Sequence, residues 1–122
     1  MPYDIRIVPG HEFIRLNAKG QLDLRATRTL LSDIAAKCCA KRVDRILLDV
    51  RQIIADIQLI ELHELAMTFD DYDFQPYDRL AILHKKSSNG GAALFAQTAA
   101  KRGYQIRAFD EFERAFNWLI EA

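Results

Sequence analysis

The chain opens on two runs in which apolar and polar residues alternate, Tyr3, Ile5, Ile7 and then Ile14, Leu16, Ala18. A period of two predicts half-buried strands. Pro9-Gly10 lies between them. Proline presets one turn dihedral and glycine accepts a positive one, so the pair predicts a hairpin. Asn17 to Gly20 gives a second turn signal. The period then changes to helical. Leu24, Thr27, Leu30, Leu31, Ile34, Ala35 and Cys38 form one face of a helix over about Asp23 to Lys41, and Arg25, Arg28, Asp33, Lys37 and Lys41 take the other.

Ile46-Leu47-Leu48-Asp49-Val50 is a short apolar run carrying an acid near its end, the pattern of a strand covered on both faces. Gln58 to Phe69 predicts a second helix, with more apolar surface than one buried stripe requires. Leu80 to Leu83 reads as another buried strand, and Ser87 to Gly91 as a loop. Ala92 to Arg102 is an alanine-rich helix stopped by Gly103. Tyr104 to Phe109 is a last strand. Asp110, with Glu113 three residues on, predicts a capping box for a final helix that buries Phe112, Ala115, Phe116 and Leu119.

The order is therefore β-β-α-β-α-β-α-β-α. Helices between successive strands imply right-handed crossovers and parallel pairing. The expected fold is α/β: a single-layer, mixed, mostly parallel five-stranded sheet with four helices. The first strand runs antiparallel, the alternating first and last strands form the edges, and the apolar runs at Ile46 and Leu80 lie at the centre. At 122 residues this is one domain, over 1–122.

Composition narrows the function classes. Lys plus Arg equals Asp plus Glu, 17 each. Zero net charge argues against a nucleic-acid binder, which needs a basic face. No apolar run approaches the ~18–20 residues of a membrane span, so no transmembrane segment is expected. The N-terminus lacks the pattern of a signal peptide, and a cytoplasmic location is the default expectation. Cys38 and Cys39 are neighbours that point in different directions on a helix. They read as reduced helix residues, since no CxxC spacing or companion thiol accompanies them. His11, His63 and His84 show no HxH or HExxH spacing, so no metal and no cofactor is expected.

Three places carry candidate chemistry at the C-terminal ends of the strands or beside them, where open α/β sheets bind ligands. Asp49 and Arg51 leave a buried strand as an acid and a guanidinium. Lys85, Ser87, Ser88 and Asn89 precede a helix and form, with Asp49 and Arg51, a candidate anion or nucleotide site. That signal matches neither GxxxxGK[ST] nor GxGxxG, and a loop with Ser or Asn as N-cap explains it better. The third place is the second helix with the acidic, aromatic stretch 70–78. Leu59, Leu62, Leu65, Phe69, Tyr72, Phe74 and Tyr77 make a candidate surface for an apolar ligand or a protein partner, against the alternative that the aromatics tuck into the core. The four acids of that stretch lack the glycine and terminal glutamate of a calcium loop. A hydrolase built on His84 and Asp49 lacks a motif-placed nucleophile, so no catalytic residue is assigned.

The element order, the Gly20 turn, Leu47-Leu48-Asp49-Val50-Arg51, and the ending Gly103, Phe109-Asp110, Glu113, Ala115, Trp118 and Leu119 together resemble the SpoIIAA-like proteins of the STAS/SEC14-like group. The resemblance covers nearly the whole chain. It implies a mixed sheet with packed helices, a bacterial and often dimeric protein, and a non-enzymatic role. It also implies binding of a regulatory protein, or of a lipid or other apolar molecule in a cleft that helices can open. Anti-sigma-factor antagonists of this group carry a phosphorylatable Asp-Ser-Ser-Gly motif after the third strand. Here the corresponding stretch, Val50-Arg51-Gln52-Ile53-Ile54-Ala55, has no hydroxyl, so the phosphoserine switch is not expected. The expectation is a binding or regulatory module for a lipid-like ligand or protein partner, as monomer or homodimer.

Overall fold

The computed structural model describes residues 3–8, 13–86 and 90–121. Its elements are β1 (Tyr3–Val8), β2 (Phe13–Asp23), α1 (Leu24–Lys41), β3 (Arg45–Asp56), α2 (Leu59–Met67), a 3-10 turn at Phe69–Asp71, β4 (Arg79–Leu83), α3 (Gly91–Lys101), β5 (Gln105–Phe109) and α4 (Phe112–Ile120). The strands form one five-stranded sheet in the order β1-β2-β3-β4-β5. β1 pairs with β2 antiparallel, and β2 to β5 pair in parallel. The predicted hairpin turn at Pro9-Gly10 lies outside the described residues.

Alternation along the strands sorts the core into two layers. Ile14, Leu16, Ile46, Leu48, Leu80, Ile82 and Ile106 face α1, α2 and α3. Phe13, Leu47, Ala81 and Leu83 face the other way and pack against Ala115 and Leu119 of α4. This two-sided burial is why β3 and β4 read as continuous apolar runs. Three helices thus cover one face, and a single nine-residue helix covers the other.

Several expectations are corrected. Asn17 to Gly20 is not a turn. β2 continues through it to Asp23, with a register shift between Asn17 and Lys19 and Gly20 at φ +83°. Two steps along β2, Asn17 to Lys19, match three along β3, Asp49 to Gln52, so the extra residue lies in β3; Gly20 follows as a left-handed residue paired with Ile53, where it signalled a chain reversal in the sequence. β3 likewise does not stop at Val50. It runs to Asp56, because residues 52–56 pair with 19–23 of β2. The two long strands overhang the short β4 and β5 as a parallel ribbon. The capping box expected from Asp110 and Glu113 does not form, since Glu111 is the N-cap of α4 and makes no side-chain cap bond. α2 has the acid-assisted start instead: Glu61 Oε1 accepts from the Gln58 backbone N–H at 3.0 Å. For α1, Asp23 caps as its position suggests, accepting from the Ala26 N–H at 2.8 Å.

The C-terminus of α4 is tied to the start of the central strands. Arg45 donates to the carbonyls of Leu119 and Glu121, and Arg79 to those of Trp118 and Glu121. Cations at a helix C-terminus satisfy its last carbonyls and its dipole.

The two cysteines part company in the fold. Cys38 is buried and Cys39 is exposed. Burial, aided by the charges of Asp78 and Asp44, pushes the Cys38 thiol up to about 12. Treatment of the native protein with iodoacetamide at pH 8 is expected to add one group, at Cys39. Unfolded protein takes up two, and mass spectrometry distinguishes the cases.

Candidate functional site

The overhanging ribbon borders a concave feature. α1 packs against β2, whereas α2 leans on α3 rather than on α1. A cleft of about 320 Å3 remains between α1 and α2 at the C-terminal ends of the parallel strands. Its floor is Leu48, Val50 and Ile82. α1 contributes Leu30 and Leu31, α2 contributes Leu62 and Leu65, and the ribbon adds Leu22 and Ile53. Phe95 and Ala92 of α3 close the far side. The volume sits at the lower end of the range for small-molecule pockets.

Polar groups are few here. The Thr27 hydroxyl also faces the cleft but is spent on the Asp23 carbonyl at 2.8 Å. Among the described residues His84 and Lys85, just beyond β4, are the only other polar side chains lining it, beside the first residues of α3. His84 Nδ1 lies 2.9 Å from the Lys85 carbonyl oxygen. Among the described residues no acid lines the cleft, which is apolar with a cationic end at Lys85.

The residues proposed from sequence as an apolar surface divide. Leu62 and Leu65 line the cleft. Phe69 and Phe74 are buried in the core, 1% and 6% exposed, and stack with ring centroids 4.8 Å apart. Phe69 also meets Tyr72, Phe95 and Tyr104. The stretch after α2 is therefore pinned by its aromatics, as the core alternative held. Asp70 ties it further, accepting from Arg102 at 2.6 Å and from the Tyr104 hydroxyl at 2.8 Å. Leu59 and Tyr77 are exposed and do not line the cleft. Ile54, Ile60 and Met67 are also exposed large apolar residues, and with Leu59 they put apolar surface on the end of the ribbon and the outer side of α2.

The candidate anion site divides as well. Asp49 pairs in register with Leu83, on the α4 side of the sheet. Lys85 lines the cleft on the other side, and no hydrogen bond or ion pair joins it to Asp49 or Arg51 among the described residues. Ser87, Ser88 and Asn89 lie outside the described residues.

Asp49 and Arg51 do meet, with partners the sequence did not reveal. Arg51 Nε donates to Asp49 Oδ1 at 3.0 Å and Nη2 to Oδ2 at 2.8 Å, a bidentate fork. The Arg51 backbone N–H adds a third bond to Oδ1. Arg15, from β2, donates to Oδ2 at 3.2 Å and to Asn17 Oδ1 at 3.0 Å. Its guanidinium stands 5.2 Å from the Phe112 ring centroid. Burial alone pushes the Asp49 carboxyl up, but the bonds from Arg51 and the charges of Arg51 and Arg15 outweigh it and hold the group below its ordinary value. A carboxyl depressed in the folded state stabilises the fold above its unfolded pKa of about 3.9, and that contribution fades as pH falls toward the folded value. Asp49→Asn is therefore expected to lower Tm at pH 7, and the gap to wild type to narrow steadily below about pH 3.9, in thermal melts by circular dichroism.

No family model matches the sequence, and no curated protein matches it. Solved structures do match in shape. The anti-sigma factor antagonist SpoIIAA in its unphosphorylated form superposes with a TM-score of 0.60 at 14% identity, over 98% of this chain and 99% of that one. The fold is SpoIIAA-like. An anti-sigma factor antagonist from Mycobacterium paratuberculosis gives a TM-score of 0.59 at 10% identity, over 96% and 93% of the two chains. An uncharacterised protein with a SpoIIAA-like fold from Shewanella loihica gives 0.57 at 15%, with the same coverage. In this SpoIIAA-like chain no serine, threonine or tyrosine occurs from Arg51 to Met67, the end of β3, the turn and the whole of α2. Among the described residues no helix is long and apolar enough to cross a membrane.

Proposed function

We propose that this chain is a non-enzymatic regulatory module that binds a small apolar, lipid-like ligand in the cleft between α1 and α2. The observation that carries the reading is the cleft itself, a 320 Å3 space lined by aliphatic side chains and Phe95 at the strand ends. A well-packed domain leaves few voids larger than a water molecule. An apolar space of this size would hold roughly ten water volumes, and water there finds few partners. The single cationic end suits a ligand with one polar or anionic terminus.

Two structural neighbours are anti-sigma factor antagonists, which supports a regulatory, partner-binding role. The exposed apolar side chains of Ile54, Leu59, Ile60 and Met67 are where a protein partner or a second copy would dock. The missing hydroxyls leave ligand occupancy, rather than serine phosphorylation of α2, as the signal such a partner would read. Binding an anion or nucleotide through Asp49, Arg51 and Lys85 together is disfavoured, because the sheet separates them.

Titration with decanol and decanoate, followed by isothermal calorimetry and by Tm, tests the proposal. Saturable one-to-one binding with a rise in Tm is expected, since a ligand of the native state stabilises it by mass action. Absence of saturable binding by both probes overturns it.

A further inference from the structure

The α4 side of the sheet is unevenly covered. α4 packs over β3, β4 and β5, and its reach toward β2 ends where Phe116 meets Phe13 edge-on at 5.9 Å. Beyond that line, among the described residues, no helix covers β1 and β2. There the sheet carries the Arg15–Asp49–Arg51 group, with the Phe112 ring, 37% exposed, as its wall.

The charge count of this group is unbalanced for a purely structural pair. One carboxylate, with 10% of its side chain exposed, is shared by two guanidiniums that are 29% and 42% exposed. Each arginine commits Nε and Nη2, and neither Nη1 has a partner among the described residues. A guanidinium offers five N–H donors, so both forks keep donors for an outside acceptor. The exposed Arg6 stands directly opposite Arg15 in the antiparallel register. Asp49, buried and held ionised, fixes the two forks before any ligand arrives, which lowers the ordering cost of binding.

We propose that this face binds an acidic segment of a partner protein, its carboxylates received by Arg15 and Arg51 and a neighbouring apolar side chain resting on Phe112. The patch is small and bounded by acids. Glu111 at the start of α4 pairs with Lys86 and Arg114, and Asp56 accepts from Gln21 further along the ribbon. These carboxylates confine the positive patch to the Arg15–Arg51 pair, too short for an extended phosphate backbone, and the zero net charge supplies no long-range attraction for one. An exposed aromatic beside bidentate cations matches a carboxylate next to an apolar residue. The site lies across the sheet from the α1–α2 cleft, and neither depends on the other.

The test uses the full chain and a fluorescein-labelled peptide of alternating glutamate and phenylalanine, five residues long. Its glutamine-for-glutamate counterpart serves as the control probe. Wild-type protein is expected to bind the acidic peptide saturably by anisotropy, with affinity falling as salt rises. Arg51→Gln is expected to weaken binding at least ~tenfold, and the glutamine peptide to bind equally poorly. Lys41→Gln, an equal loss of charge on the far end of α1, is expected to leave binding unchanged. Arg15→Lys keeps the charge and loses the fork, so it reports on the site even where Arg51→Gln impairs folding; it too is expected to weaken binding. No saturable binding by wild type overturns the proposal, as do equal affinities of Arg51→Gln and Lys41→Gln when both are folded. Tighter, arginine-dependent binding of a single-stranded oligonucleotide overturns it in favour of a nucleic-acid surface.

Discussion

Phe69→Ala is expected to destabilise the protein by about 3–5 kcal/mol, the cost of truncating a fully buried phenylalanine. Phe69 is 1% exposed and lies at the centre of a ring cluster with Tyr72, Phe74, Phe95 and Tyr104. Those partners come from the stretch after α2, from α3, and from the residue before β5. Removing the ring leaves a cavity bordered by four side chains from three segments, so it cannot collapse by a shift of one of them. For a domain of this length such a loss lowers Tm by roughly 10–20 °C. The substitution acts on the cleft as well. α2 carries Leu62 and Leu65, which wall the cleft, and Phe69 anchors the end of that helix. Decanol binding is expected to weaken in any Phe69→Ala protein that remains folded. Chemical denaturation and calorimetry check the two consequences separately. A stability loss under about 1 kcal/mol would show that the cluster is not the anchor its geometry describes.

Leu62→Trp is expected to abolish binding of decanol and decanoate while leaving the fold intact. Leu62 is half-buried and faces the cleft from α2, so its replacement grows into space that is already open rather than into packed core. Filling a 320 Å3 cleft from its wall removes the volume a ligand needs. Overpacking elsewhere in a core costs ~1–3 kcal/mol, but here the void accommodates the ring and the change in Tm is expected to be small or upward. Loss of binding with Tm held is the signature of occlusion. Unchanged binding would place the ligand elsewhere, and a large fall in Tm would show that the space is not open.

Much of the architecture was legible because burial repeats with the period of the element. The strand pairs at Ile46 and Leu80 are covered on both faces, so their apolar runs are continuous. α1 is covered on one face, so its apolar residues keep helical spacing. The errors fell where local chemistry and tertiary pairing disagreed. Gly20 reads as a turn residue but lies within β2, paired with Ile53. Residues 51–56 alternate weakly, yet they form strand because β2 offers them a partner. Asp110 and Glu113 have capping-box spacing, yet the helix starts after Glu111.

The candidate site was less legible. Of the surplus apolar residues on α2, Leu62 and Leu65 line the cleft, whereas Phe69 and Phe74 beyond it are buried in the core. Sequence distance hid Arg15 from Asp49, since they meet only through the β2–β3 register. The same register hid Leu22 and Ile53 from Leu30 and Leu62.

The sequence by itself determined the element order, the mixed five-stranded sheet and the absence of a hydroxyl along the end of β3 and α2, because these depend on local periodicity and residue type. Only the tertiary structure decided that β2 and β3 overhang the sheet, that a cleft stays open between α1 and α2, and that Asp49 holds two arginines on the opposite face. Those features arise from strand register and from how far a helix reaches across a sheet, and both are set by contacts between residues remote in the chain.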